Sequence, residues 1–245
     1  MSTLWEKDTP KSEWNKIKKQ SPKDIVWYIW EYYKWPIFAV IVVIWLIVSW
    51  AISYRESRKD IVIYGALMNK YQATLADSSY FLDTYAAFRN TDTSKQRVEL
   101  RNNLYIDITG DNLSEDSIGT VQILMAEIAS KNLDFIASDQ KTLVYYNKSS
   151  SIFMDLRECL PADVYEQFEE EGRIVWLPQY DFDNATSEYI ESEEEYPLLV
   201  NFSDSHFVEG MNFTNPELYV GFITNTTRTD EIPYFVDYME HYGEK

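Results

Sequence analysis

The sequence predicts an α/β protein: a single N-terminal transmembrane helix followed by one mainly parallel-sheet α/β domain. Three observations carry this. Residues 35–52, WPIFAVIVVIWLIVSWAI, form an uncharged run whose only polar side chain is Ser49. As a helix it would be about 27 Å long, close to the ~30 Å hydrocarbon core of a bilayer. Beyond residue 60, apolar runs of strand texture alternate with stretches of helical spacing, the pattern of a sheet with helical crossovers. The charge also changes there: residues 1–60 hold 10 Lys/Arg against 7 Asp/Glu (+3), whereas 61–245 hold 12 against 33 (−21).

These divisions give a polar cytoplasmic arm (1–20), an aromatic interfacial segment with the transmembrane helix (21–58, core 35–52), and an extracytoplasmic acidic domain (59–245). The arm has no apolar run, so it is not the start of a secretory signal. Ser21 can cap a helix with Pro22 at its first position and Asp24 in its first turn. Trp27, Tyr28, Trp30, Tyr32, Tyr33 and Trp35 make an aromatic collar of the kind found at membrane–water boundaries. Pro36 marks a kink or a fresh helix start. Seven lysines precede the span, whereas only Arg55, Arg58 and Lys59 follow it before the acidic domain. The bias places the N-terminus in the cytoplasm and the domain outside. No small-residue cleavage site follows the run, so it reads as an uncleaved signal anchor.

In the domain, IVIYGAL (61–67) is a continuous apolar run, as in a strand covered on both faces. Asp77 or Ser78 can start a helix with Phe81, Leu82, Tyr85 and Phe88 on one side. VELRNNLYIDIT (98–109) reads as a strand. Ser114 then caps a helix with a stripe of Ile118, Val121, Leu124, Met125 and Ile128, and DFIAS (134–138) follows as a short buried strand. Pro161 opens a helix through Phe168 that Gly172 closes, and IVWLP (174–178) is another strand. The acidic stretch from Tyr180 to Tyr196 reads as a solvated loop or hairpin tip. PLLVNF (197–202) and LYVGFIT (218–224) are strands. A last helix from Thr229 or Asp230 turns Ile232, Phe235, Val236 and Met239 inward.

VQILMAEIASKNLDFIASD, SSSIFMDLRECLP and LYVGFITNTTRTDEIPYFVDYM resemble, in the order of their elements, segments of the extracellular solute-binding proteins of bacterial ABC importers. The likeness is one of pattern over 61–178 and 197–242. It implies a reduced, single-lobe relative of the type 2 periplasmic binding proteins, here on a transmembrane anchor.

Composition excludes several functions. With 45% hydrophobic and 16% aromatic residues the chain folds rather than staying disordered, and a −21 domain repels phosphate backbones, so nucleic acid is not the partner. A lone cysteine, Cys159, can close no intramolecular disulfide and reads as a small core residue beside Leu156 and Leu160. DITGDNLSED (107–116) and DFDNATSE (181–188) are rich in oxygen but miss the glycine and glutamate of a helix–loop–helix calcium site. His206 and His241 lack paired metal-ligand spacing, and no Gly-x-Ser-x-Gly elbow occurs. No catalytic residue, metal or cofactor is therefore expected.

In a parallel sheet ligands bind at the carboxyl ends of the strands, which singles out Asn69 and Lys70, Thr109 and Asp111, and Ser138 and Asp139 as candidate ligand-binding residues. Six Asn-x-Ser/Thr sequons, at Asn112, Asn147, Asn184, Asn201, Asn212 and Asn225, keep a type II glycoprotein reading in view. The single cysteine favours a bacterial surface protein instead. The expectation is a single-pass membrane protein whose partners are the lipid bilayer and a membrane or envelope protein, the domain serving as a binding module or accessory subunit. The alternatives are a small-solute receptor with its cleft near 69 and 138–139, and a purely structural membrane subunit.

Overall fold

The structure is a computed structural model and describes residues 22–69, 79–109, 112–183, 188–211, 213 and 215–241. It divides into two units, 1–58 and 59–245. In the first, helix α1 (Pro22–Ser57) starts at Pro22 as the sequence predicts and runs through Pro36 without a fresh start. An 18-residue stretch within Lys34–Ser57 has a mean hydropathy of 2.5, and none of it is buried inside the protein. Trp35, Trp45 and Trp50 are each about two-thirds or more exposed. A water-soluble helix would turn an apolar stripe toward a core, whereas residues 35–52 of α1 carry no charge on any face.

The second unit holds strands β1 (Asp60–Met68), β2 (Gln96–Leu104), β5 (Phe135–Ser138), β6 (Ile174–Asp183), β7 (Glu188–Asn201) and β8 (Tyr219–Phe222) in one sheet, ordered β2-β1-β5-β8-β7-β6. A separate two-stranded hairpin pairs β3 (Ile108–Thr109) with β4 (Asn112–Leu113). Its helices are α2 (Tyr80–Phe88), α3 (Ile118–Ala129), α4 (Gln140–Ser150), α5 (Leu156–Cys159), α6 (Ala162–Glu170), α7 (His206–Met211) and α8 (Ile232–His241).

The expected mainly parallel sheet is corrected to a mixed one. β2, β1 and β5 run parallel, while β8, β7 and β6 are joined by antiparallel pairings. Helical crossovers α2 and α3 connect the parallel strands, but β6 and β7 form a direct hairpin, which is antiparallel by necessity. The acidic stretch, read as a solvated loop or hairpin tip, is the outer part of that hairpin: Tyr180 pairs with Glu191, and Asp181 with Ile190. Only Leu199–Asn201 of β7 pair with β8, so the rest of the hairpin extends past the sheet as a two-stranded ribbon. The expected strand 98–109 stops at Leu104, and Ile118 is exposed rather than part of the inward stripe of α3.

Alternation along the strands creates two cores. Ile63 and Leu67 of β1, Phe135 of β5 and Phe222 of β8 face one layer with α2, α5, α6, α7 and α8. Tyr64, Ala66 and Met68 face the other with α3 and α4. A sheet covered on both faces explains the unbroken apolar run at 61–67. In the first core Phe81 lies within 5.4–6.2 Å of the rings of Tyr85, Phe135, Phe207, Phe235 and Tyr238. Gly65 is needed because the ring of neighbouring Phe135 lies flat on it; a Cβ there would sit 2.1 Å from Cζ. Gly172 closes α6 with φ +69°, a conformation that favours glycine. Ile232, Phe235, Val236 and Met239 face inward from α8, as the sequence predicts.

Candidate functional site

The carboxyl ends of β1 and β5 come together at the start of α4. Asn69 follows β1 in a left-handed conformation (φ 53°), which asparagine tolerates better than most side chains. Its Oδ1 accepts from the Ile106 N–H at 2.8 Å, and its Nδ2 donates to the Thr142 hydroxyl at 2.9 Å. Ser138, fully buried, donates to the Met68 carbonyl at 3.0 Å and lies 3.2 Å from Asp139 Oδ2. Asp139 caps α4: its Oδ1 accepts from the Thr142 N–H at 2.9 Å, and the Thr142 hydroxyl donates to the same carboxylate. Burial pushes the Asp139 carboxyl up, but the Thr142, Ser138 and Asn69 donors outweigh it and hold the pKa below the usual aspartate value.

The β3 hairpin reaches the same place, since Lys141 Nζ donates to the Ile108 carbonyl at 3.2 Å. Thr109 pairs with Asn112 at the end of that hairpin. Lys70 and Asp111 lie outside the described residues. The structure therefore brings Asn69, Ser138 and Asp139 together, as strand-end reasoning expects, and adds Thr142 at 2% exposure. Chemically the cluster is a lock: its donors and acceptors are met by one another and by the backbone. The Gln140 N–H, a helix-start donor that could otherwise meet an anion, takes Glu217 Oε1 at 3.2 Å. The sequence could have revealed Thr142 through the Asp139-x-x-Thr142 spacing of an N-cap.

At the opposite, amino ends of β1 and β2 is a cleft of about 400 Å3 lined by Ile61, Arg89, Thr91, Gln96, Arg228 and Glu231, among others. Its two guanidinium groups are engaged. Arg89 donates to Glu231 Oε1 at 2.9 Å and stacks 3.8 Å from the Tyr234 ring centroid. The Tyr85 hydroxyl donates to the same glutamate oxygen at 2.7 Å, and burial together with that carboxylate raises the phenol's pKa. Arg228 donates to Asp134, whose side chain is 1% exposed, at 2.8 Å. Asp134 also accepts from the Tyr64 N–H at 2.7 Å and from the Thr226 hydroxyl. This group ties β1, β5 and the β8–α8 connection together, and pattern reading missed it because Asp134 is indistinguishable there from a strand-end turn residue.

Cys159 is buried beside Leu156 and Leu160, and burial pushes its thiol up to about 12. His206 and His241 pair within their own helices, with Glu209 at 3.6 Å and Asp237 at 2.9 Å. Among the described residues no group of three or more His, Cys, Asp or Glu is placed to hold a metal ion. Two sequon asparagines are structural: Asn147, 1% exposed, donates to the Pro178 carbonyl at 2.6 Å, and Asn225 donates to the Ile128 carbonyl at 2.8 Å. Comparison of the chain with protein-family models, with curated proteins and with solved structures finds no match.

Proposed function

We propose that the chain is a single-pass membrane protein, its N-terminus cytoplasmic and its acidic α/β domain outside, acting as a binding or interaction module in a transporter or envelope assembly. The observation that carries this is α1: a helix long and apolar enough to cross a bilayer, with no part of Lys34–Ser57 buried in the protein. Only Arg58 and Lys59 separate it from β1. A domain joined so closely to a span meets partners in its own membrane, which suits a subunit better than a diffusing carrier. The domain's edge supports the module reading. β6 is a terminal strand of the sheet, and the ribbon it forms with β7 displays Trp176, Tyr189 and Ile190 at 39–55% exposure among seven acidic residues. Partly exposed aromatics on an unpaired strand edge are features that recognition surfaces use. The parallel half, β2-β1-β5 with its crossovers, is the part that supports a likeness to one lobe of a solute-binding protein.

The test is extraction of the chain from membranes in mild detergent, followed by mass determination. A subunit migrates in a stoichiometric complex, and Ile190→Asp with Tyr189→Asp releases it as a monomer. A chain that is monomeric from the outset, at native membrane abundance, sinks the proposal.

A further inference from the structure

Among the described helices of eight or more residues in 59–245, α3 alone turns no charged side chain to solvent. α2 exposes Asp83, α4 Lys141 and Lys148, α6 Glu166, and α8 Asp237. The exposed residues of α3 are Ile118, Gly119, Gln122, Ile123, Ala126 and Ala129. At about 100° per residue they cover roughly 140° of the helix, with Gly119 and Ala126 at the centre and Ile118 and Ile123 at the two margins. The isoleucines are 48% and 42% exposed. The one charged residue of α3, Glu127, lies off this face and pairs with Arg101 at 3.0 Å. The inward stripe is separate: Leu124 and Ile128 are buried in the core of the domain. Folding therefore accounts for one apolar side of α3 and leaves the other without a partner.

Gly119 is a second and independent observation. Glycine weakens a helix relative to alanine, and neither usual reason for keeping one applies. Its φ is not positive, and a Cβ there would meet no atom within 4 Å. The fold has room for a side chain at 119 and does without it. A glycine and an alanine seven residues apart lie one above the other, and small side chains at a contact let a second helix come close.

We propose that α3 is a contact between two copies of this chain, packed α3 against α3 across a two-fold axis. Such a contact uses the same patch on both copies, and this patch complements itself, with isoleucines at its margins and a gap between them. Charge selects the occupant. Two domains of −21 repel wherever carboxylates meet, and on α3 they touch with no carboxylate between them. A basic partner docking here would forgo the attraction that the rest of the surface offers it. Six residues fall short of the about 20–30 per side of a standard interface, so the contact does not hold copies together in detergent. It forms where anchors confine both copies to one bilayer and raise their effective concentration. The inference thus rests on the anchored reading and adds a partner to it.

The experiment reconstitutes the full chain at low density in phosphatidylcholine liposomes and oxidises single-cysteine variants with copper phenanthroline. Gln122→Cys lies midway between Gly119 and Ala126, Glu166→Cys on the exposed side of α6 is the reference, and native Cys159 is buried. Expected is at least tenfold more disulfide-linked dimer at 122 than at 166. Adding Ile123→Lys or Gly119→Leu to Gln122→Cys is expected to lower that yield at least tenfold with the circular dichroism unchanged. Gly119→Ala in micelles is expected to melt above the native chain. Equal yields at 122 and 166 are random collision and overturn the proposal. So does a yield that both added substitutions leave intact, or a Gly119→Ala chain that melts lower, since the glycine then serves the fold. A polarity-sensitive dye on Gln122→Cys that shifts to the blue without dimer assigns the face to the bilayer and also overturns it. Stripping of the chain from the liposomes by alkaline carbonate refutes the anchor and this inference with it, whereas an anchored chain without the dimer refutes the inference alone.

Discussion

Removing the Asp134 carboxylate is the sharpest test of how the domain is held together. Asp134→Ala leaves the Tyr64 N–H without its acceptor and strands Arg228, whose side chain is only 20% exposed, beside the Asn132 carbonyl alone. Removing one partner of a buried pair costs about 3–5 kcal/mol. The orphaned N–H falls within that figure rather than adding to it, because Tyr64 N–H and Arg228 Nε share Oδ2. Arg228→Met strands the carboxylate and is expected to cost a comparable amount, whereas Asp134→Ala with Arg228→Met costs well below the sum, since apolar replacement of both partners is often nearly neutral. Trp176 is the only tryptophan after residue 50, so its fluorescence reports urea unfolding of residues 59–245 expressed alone. With a urea slope of about 2–3 kcal/mol per M for a domain of this size, each single variant lowers the midpoint by ~1–2 M. Two single variants within about 1 kcal/mol of the native domain, or a double variant that costs their full sum, would refute the reasoning.

Other expected outcomes follow from the packing and the caps. Asp139 and Asp155 have depressed pKa values, the first through the balance described above. For the second, burial pulls the pKa up, but the Arg157 side chain and N–H outweigh it. A depressed carboxylate stabilises above its unfolded pKa of about 3.9, and the contribution is lost as pH falls through the folded value. The urea midpoint should therefore stay level with respect to these groups from pH 7 to 5 and fall below pH 4, less steeply in Asp139→Asn and Asp155→Asn. Gly65→Ala forces the wedged Phe135 ring aside and should cost about 1–3 kcal/mol, seen as a lower thermal midpoint. Phe81→Ala empties the centre of five ring contacts and should cost about 3–5 kcal/mol by the same measurement.

Which features were legible in the sequence follows from local physics. The 35–52 run of α1 and strand β1 were readable because their surroundings are uniform along their length: free of charge on every face for one, buried on both faces for the other. α8 was readable because Ile232, Phe235, Val236 and Met239 keep helical spacing against one core. Strand direction was not, since PLLVNF and LYVGFIT are buried on both faces and read alike whichever way they run. The outer ribbon was legible only as a loop or hairpin tip, because its acids mask the two-residue alternation, and pairing with β6 rather than a core fixes it. At the site, Asn69, Ser138 and Asp139 were legible as strand-end residues, but an aspartate after a strand is equally a ligand residue or a helix cap. α4, which Asp139 caps, was not read at all. The Asp134–Arg228 pair spans 94 residues and the Arg173–Glu240 pair 67, and no local pattern encodes either.

The central claim is an anchored chain with its domain outside, and one labelling measurement tests it most directly. The single native cysteine is 6% exposed with its thiol pushed up to about 12, so it should not react with a membrane-impermeant maleimide at neutral pH. Glu166→Cys, on the exposed side of α6, and Ser2→Cys, in the N-terminal arm, then report opposite sides of the membrane. In right-side-out vesicles the account predicts labelling at 166 at once, labelling at 2 only after permeabilisation, and none of the native chain. Labelling at 2 from outside with protection at 166, or release of the chain by alkaline carbonate, would contradict it.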